Sequence, residues 1–390
     1  MDLVKLKTLA TKKLRKGMPL LQKEDLLKDA DFPQAWVTFS DERGNFVGQG
    51  YLGQQNKGIG WLVSLQEEQL NQAFFEGLFN KAKARRQAFF NNQETTAFRL
   101  FNGEGDGLGG LTIDWYDNYA VFSWYNEVIL QKKAEIVAAF QAVYPEVLGA
   151  SEKIRYKSQL PESQWLYGTQ PNEPLIVKEN AVNYAVYLNE GLMTGIFLDQ
   201  KEVRNQLVEG LAVGQEVLNL FSYTGAFSVA AAMGGAASTT SVDLAKRSRQ
   251  KTEEQFAVNQ LSLENQKIIV MDVFEYYKYA KRKNLSYDLI ILDPPSFARN
   301  KKKTFSVAKN YGELVTDALS ILKENGRIIA STNAANLSLE RFQGLVEAAF
   351  EAAGVNYQKE QVFRLPVDFQ TLASFSEGNY LKVLFYKIKK

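Results

Sequence analysis

Glu216-Val217-Leu218-Asn219-Leu220-Phe221-Ser222-Tyr223-Thr224-Gly225-Ala226-Phe227 is an apolar run that breaks into a polar turn with one glycine, then opens into helix-forming residues. Such a run fits a strand buried on both faces. Working outward, Thr239–Asp243, Lys267–Met271, Tyr287–Asp293 and Arg327–Thr332 have the same character, with helical stretches between them. This alternation predicts an α/β fold, a mostly parallel, doubly wound sheet over residues 175–390.

The residues before it read differently. Ala35–Phe39 and Phe46–Tyr51 flank the turn Asp41–Asn45 and predict a hairpin in a small β-barrel over residues 1–66. Helical spacing predicts a helix over Glu67–Phe90 and another over Val128–Val143. Leu111–Trp115 and Tyr119–Phe122 predict a hairpin, so residues 67–174 form an α+β segment. Its end, Ser158–Pro174, is polar and holds proline, as a linker does.

Among the 390 residues there is no cysteine and no histidine. This excludes structural zinc of the Cys/His kind, iron–sulfur clusters and disulfides. It also excludes thiolate nucleophiles and histidine acid/base work. Chemistry must run on carboxylates, amides, amines, hydroxyls, backbone groups or a cofactor. No metal site is expected. Forty-six basic against 44 acidic residues give a net charge of +2, so any nucleic-acid binding must come from local clusters. The first twenty residues lack the apolar stretch of a secretory signal, and no run is long and apolar enough to span a membrane. A cytoplasmic protein is expected.

In open α/β sheets, ligands bind beyond the carboxyl ends of the strands. The first strand runs into Asn219, Phe221, Thr224 and Gly225, a turn without the three glycines that grip a pyrophosphate. The second ends at Asp243, where an acid suits a ribose diol. The third is followed by Asp272-Val273-Phe274, an acid and apolar groups suited to an adenine. A lone acid after a strand is commonly a helix cap, but these acids fall on one sheet edge. The fourth strand ends in Asp293-Pro294-Pro295-Ser296-Phe297. Each proline removes an N–H and fixes φ, so the turn is rigid and presents acceptors, with Phe297 placed to stack on a base. An adenosine site without a phosphate grip, beside Asp-Pro-Pro, points to S-adenosylmethionine.

With these motifs, the chain resembles the RlmI-like family of class I S-adenosylmethionine-dependent large-subunit ribosomal RNA methyltransferases. The similarity rests on Arg99–Leu108, Thr194–Gln200, Asn219–Phe227, Val242-Asp243, Asp293–Phe297 and Glu377–Lys382. It implies an N-terminal PUA domain, a central α+β domain and a Rossmann-like catalytic domain, with 23S ribosomal RNA or a large-subunit assembly intermediate as partner. By the same resemblance, Phe197, Asp199 and Gln200 lie over the methionine half of the cofactor. Asp243, beside Leu244, holds the ribose, and Asp272, beside Val273, the adenine amino group. The turn at Glu104–Asp106 is read as structural.

The chain departs from the family at one place. RlmI-type enzymes methylate cytosine carbon 5 and need a cysteine thiolate, which follows the fifth strand. Here that place reads Ser331-Thr332-Asn333-Ala334-Ala335-Asn336. The asparagine resembles the guanine-N7 relatives of the RlmK type. Guanine N7 has a free lone pair, so neither nucleophile nor base is required. Catalytic candidates are therefore Asp293, Pro294, Pro295, Phe297 and Asn333, although asparagine is also a common turn former. Arg299, Lys301, Lys302 and Lys303 follow the Asp-Pro-Pro turn and are candidates for RNA phosphates, against the bland reading of a solvated charge run. Cytosine carbon 5 methylation, exocyclic amine methylation and a silent RNA-binding or assembly role are the alternatives. The oligomeric state, a homodimer included, stays open.

Overall fold

The computed structural model describes residues 1–28, 32–299 and 304–389. They form two compact units. One comprises Met1–Val177, Val186–Thr194 and Val367–Asn379, the other Lys178–Ala185, Gly195–Pro366 and Tyr380–Lys390. The chain thus returns to the first unit late, within the stretch read from sequence as continuous α/β.

The first unit holds two five-stranded sheets. β1 (Asp2–Lys5), β2 (Leu20–Leu21), β3 (Ala35–Ser40), β4 (Phe46–Leu52) and β5 (Gly60–Ser64) order as β1-β3-β4-β5-β2. β6 (Ala97–Asn102), β7 (Leu111–Tyr116), β8 (Tyr119–Trp124), β9 (Gly149–Ile154) and β10 (Ser163–Gly168) order as β10-β9-β8-β7-β6. Three local expectations need correction. The helix expected from Glu67 begins at Gln72, because the Asn71 side chain caps it by accepting from the Phe74 N–H at 3.3 Å. The helix expected over Val128–Val143 is two, Glu127–Leu130 and Lys133–Val143. Ser158–Pro174 is not simply a linker, since β10 lies inside it and pairs antiparallel with β9. β10 is an edge strand whose residues are only partly buried, so its polar face hides the strand signal.

The two sheets of this unit share a core. Trp36, Tyr51 and Trp61 from the first pack in one cluster with Phe75, Phe79, Phe98 and Trp115. Buried polar tips are satisfied across it: the Tyr51 hydroxyl donates to the Gly109 carbonyl at 2.6 Å, and the Trp36 indole N–H to the Val128 carbonyl at 3.2 Å.

The Glu104–Asp106 turn anchors the returning segment. Arg86 and Asp106 form a buried pair, with Nη2 to Oδ2 at 2.6 Å and Nη1 to Oδ1 at 3.1 Å. Arg86 also donates to the Asp368 carbonyl at 2.6 Å, and the Asp368 carboxylate accepts from the Arg99 N–H at 2.8 Å. A Cβ at Gly105 would lie 1.8 Å from the Gln370 carbonyl oxygen, so only glycine lets the two backbones meet. The structural reading of this turn fits these contacts. Arg86→Met would leave Asp106 buried and short of its main partner. A loss of about 3–5 kcal/mol is expected, read as a lower denaturant midpoint.

A hairpin of β11 (Leu175–Glu179) and β12 (Val182–Val186) precedes the second unit's main sheet. That sheet is built from β13 (Glu216–Leu220), β14 (Ser238–Asp243), β15 (Gln266–Val270) and β16 (Tyr287–Leu292). The short pair β17 (Phe297–Arg299) and β18 (Thr304–Ser306) comes next, then β19 (Leu322–Thr332), β20 (Asn356–Phe363) and β21 (Lys382–Lys389). The seven-stranded order is β15-β14-β13-β16-β19-β21-β20. The first five strands in this order are parallel, and β21 runs antiparallel to both its neighbours, β19 and β20. Alternate residues serve opposite faces. Leu218, Leu220, Ile290 and Leu292 join one core cluster, and Val217, Leu289 and Ile291 the other. Burial on both faces explains the apolar stretches of β13 and β16, whereas β14 is buried too but built largely of hydroxyl side chains. The strand order reverses between β13 and β16, which is the switch point where a ligand site belongs.

Candidate cofactor and base site

At the end of β13 the chain turns with three residues in the left-handed region: Phe221 (φ 58°), Tyr223 (φ 52°) and Gly225 (φ 77°). Two of these carry side chains, so the turn is strained and must be held from outside. Asp243 holds it. Its Oδ2 accepts from the Tyr223 N–H at 2.9 Å, while Oδ1 accepts from the Ala245 N–H at 2.8 Å. A carboxylate has about four acceptor sites, so these bonds leave capacity for ribose hydroxyls. Gly225 has a second reason to lack a side chain, since a Cβ there would meet Thr252 Cγ2 at 2.5 Å. Thr224 donates to the Gly195 carbonyl at 2.7 Å, tying the turn to the segment that carries Phe197, Asp199 and Gln200.

The other candidates divide by exposure. Leu244 is 57% exposed beside Asp243, and Phe197 is 42% exposed with its ring tilted on Tyr223 at 5.3 Å. Large apolar groups left in water on a strand-end rim suit a planar or alkyl ligand surface. Asp272 caps the helix Val273–Arg282, its Oδ1 accepting from the Phe274 and Glu275 N–H groups at 3.0 and 3.3 Å. Val273 is buried and belongs to the core cluster. Asn219 is buried too, its amide donating to Ser228 at 3.0 Å. These two act from behind the rim.

Asp293 closes β16. Burial pushes its carboxyl up to about 6. The Asp199 charge adds to the rise, while the Ser331 hydroxyl and Arg204 oppose it. Gln200 braces it: one amide nitrogen donates to Asp293 Oδ1 at 3.2 Å and to Ser331 Oγ at 2.9 Å. Gln200 therefore joins the ends of β16 and β19. Tyr311, fully buried below, does the same with its hydroxyl, which lies 3.2 Å from the Leu292 carbonyl and 2.9 Å from that of Ser331. Pro294 is buried and Pro295 exposed. Beyond them, the Ser296 hydroxyl donates to Asn333 Oδ1 at 2.5 Å, and Asn333 is exposed. The backbone of Phe297–Arg299 pairs with Thr304–Ser306. The cluster Lys301, Lys302 and Lys303 lies outside the described residues.

Further residues of the site were not picked out from sequence. Arg204 pairs with Glu179 at 2.6 and 2.8 Å and donates to the Phe197 carbonyl at 2.6 Å, fixing the backbone of the Phe197 segment. Tyr380 donates to Asp199 at 2.9 Å. Tyr380 falls in a stretch already quoted for the resemblance, but nothing in its local pattern shows a partner 181 residues away. Among the described residues, no group of three or more acidic side chains is placed to hold a metal ion. No helix among them is long and apolar enough to cross a membrane.

A strained turn held by a carboxylate, further acids at the strand ends, exposed apolar groups on the rim and no phosphate-binding glycine loop together fit S-adenosylmethionine. The comparisons agree. Residues 99–378 match the family of S-adenosylmethionine-dependent methyltransferases, and residues 4–65 match a PUA-like domain. The chain is 47% identical, over the full length of both, to a Bacillus subtilis protein named as a candidate ribosomal RNA large subunit methyltransferase, YwbD. It is 32% identical to ribosomal RNA large subunit methyltransferase I of Yersinia pseudotuberculosis, with 81% of each chain covered. A crystal structure of SMU.776, named as a candidate methyltransferase and complexed with SAH, superposes with a TM-score of 0.94 at 48% identity, covering 99% of this chain and 100% of that one.

The chain is an S-adenosylmethionine-dependent methyltransferase. It belongs to the RlmI-like branch that carries a PUA-like domain. Asp243→Ala removes both the brace on the Tyr223 turn and the proposed ribose acceptor. It is expected to weaken S-adenosylmethionine binding by about 1–3 kcal/mol in calorimetry, and an unchanged affinity would remove Asp243 from the site.

Proposed function

We propose that this methyltransferase modifies a base of large-subunit (23S) ribosomal RNA in the cytoplasm, and that the accepting atom is guanine N7. The RNA class is supported by the names of its full-length relatives and by the PUA-like domain. The observation that carries the choice of atom is Asn333 at the end of β19, bonded to Ser296, in a chain without cysteine. Cytosine carbon 5 is not nucleophilic and needs a thiolate added to the ring. A Ser331 or Thr332 hydroxyl with no histidine as base is a poor substitute. Guanine N7 already has its lone pair. Ser296 takes one lone pair of the Asn333 carbonyl and so orients the amide, whose N–H donors match guanine O6, next to N7.

S-adenosylmethionine, when bound, supplies an electrophilic methyl group. Asp243, Leu244 and Asp272 would hold its adenosine half, and Phe197 and Asp199 the methionine half. Asp293, Pro294 and Pro295 would form the rigid wall of acceptors against the base, with Phe297 stacked on it. Gln200 keeps Asp293 in place. Methylation leaves positive charge on the purine, and an ionised Asp293 stabilises it. Arg299 and Lys301–Lys303 would take phosphates along the same strand.

Two outcomes follow. Nucleoside mass analysis of ribosomal RNA from cells with and without the gene is expected to show loss of 7-methylguanosine. In vitro, 7-deazaguanine at the target is expected to abolish transfer. Loss of 5-methylcytosine instead would overturn the assignment. The second outcome concerns pH. The working form of Asp293 is the carboxylate, and its folded value lies near 6, above the ordinary carboxylate range. The transfer rate is therefore expected to rise with pH through about 6 and level off above it. Stability runs the other way, falling as pH rises through that window, because the folded state holds this proton more tightly than the unfolded chain. Asp293→Asn is expected to lower the plateau rate and remove the acidic limb, and a limb that survives would assign it to another group.

A further inference from the structure

Lys382 is the last residue of the Glu377–Lys382 stretch and has no role in the reading above. It begins β21, directly opposite Thr332 at the end of β19. Its side chain is 2% exposed. Instead of reaching solvent, the ammonium turns under the sheet edge and donates to the Ala334 carbonyl at 2.7 Å and to the Tyr380 carbonyl at 2.8 Å. Burying an ammonium is costly, and hydrogen bonds to carbonyls offset that cost only if they are well made. A lysine kept here therefore fixes what it touches. On one side it touches Ala334, the residue after Asn333. On the other it touches Tyr380, whose hydroxyl donates to Asp199 in the segment that also carries Gln200. Thr332 grips the same loop from the strand side, its Oγ1 accepting from the Ala334 N–H at 3.2 Å. Ala334 is thus held at both its N–H and its carbonyl, by side chains that are themselves buried. Asn333, between two fixed residues, is exposed and bonded to Ser296.

We propose that Lys382 is a positioning residue for methyl transfer, setting the place of Asn333 against the base through the Ala334 carbonyl. This rests on the reading of Asn333 as the residue that meets the base. Lys382 itself touches neither base nor cofactor. Losing its bonds would let the loop relax while leaving the Asp243 turn intact. Small misplacements of an aligning group are costly to rate, because alignment is the main work of this site.

The test uses the full-length protein with 23S ribosomal RNA from a strain lacking the gene. Lys382→Met keeps the apolar stem and removes the donor. The expected result is a loss in kcat of about tenfold or more, with S-adenosylmethionine affinity unchanged within about twofold and partial recovery in Lys382→Arg. In the Asn333→Ala background, the same substitution is expected to cost little further, since the two act on one alignment. If Lys382→Met does not fold, Thr332→Val reads the same loop through its other bond, with the same kcat loss and unchanged cofactor affinity expected. Full additivity with Asn333→Ala, or a loss of cofactor affinity matching the loss in kcat, would overturn the positioning role while leaving the Asn333 reading in place. If Asn333→Ala alone has no effect, the Asn333 reading falls. Lys382→Met then still supports a role in placing the loop if it lowers kcat alone, and overturns that role if kcat is unchanged.

Discussion

A half-buried carboxylate at the end of β16 draws bonds from several parts of the catalytic unit. Asp293 is pushed towards its neutral form by burial and by Asp199, and its neighbours answer that pressure from several parts of the chain. Gln200 donates to it, Ser331 lies on the same amide, and Tyr311 binds the ends of both strands that carry these groups. Pro294 and Pro295 follow, so the two residues after the acid carry no backbone N–H donor. A carboxylate so treated changes form near pH 6, and a positive charge arriving beside it favours the ionised form.

The first unit depends on a similar device with the opposite purpose. The Arg86–Asp106 pair is more deeply buried, and its bonds are completed by protein: Arg85 also donates to Asp106, and Arg86 to the Asp368, Arg99 and Ala82 carbonyls. Its partners are matched, so it fixes a chain crossing instead of waiting for a ligand. The pair makes a late segment, Val367–Asn379, part of a unit formed mainly by the first 177 residues. The two buried acids thus separate by what their neighbours provide: Asp106 has the bidentate guanidinium of Arg86, whereas Asp293 has amide and hydroxyl donors that share only part of its charge.

The strands and turns of the catalytic sheet were legible because each is written in adjacent residues. Burial on both faces gives apolar stretches in β13 and β16, and the acids stand directly at the strand ends. Asp243 and Asp293 could be placed on the rim for that reason. Asp272 was legible only in part, since the residue expected at the adenine caps the helix that follows it. The braces were not legible. Gln200 reaches a partner 93 residues away and Tyr380 one 181 residues away, and local pattern carries no trace of such pairs. Strand β10 was read as a linker because an edge strand with half-solvated faces has the composition of a loop.

In the proposed reading, the choice of accepting atom turns on a single hydroxyl. An asparagine amide can present either a carbonyl or an N–H to a base, and alone it would accept both kinds of edge. At the Asp-Pro-Pro turn, Ser296 stands where amine methyltransferases often carry an aromatic, and its O–H is spent on the Asn333 carbonyl. That bond takes one of the two lone pairs of the carbonyl, while both amide N–H donors stay available to a base. A donor facing the base rejects an exocyclic amine and welcomes a carbonyl oxygen, because a mismatched N–H against N–H would leave both groups unpaired in a site that excludes water. Among the purine edges that show a lone pair beside a carbonyl, guanine N7 with O6 satisfies the pair, and adenine N7 with its amino group does not. On the proposed reading, the same serine lets a site without cysteine or histidine select its base: an oriented amide does the recognition, and the substrate brings the nucleophile.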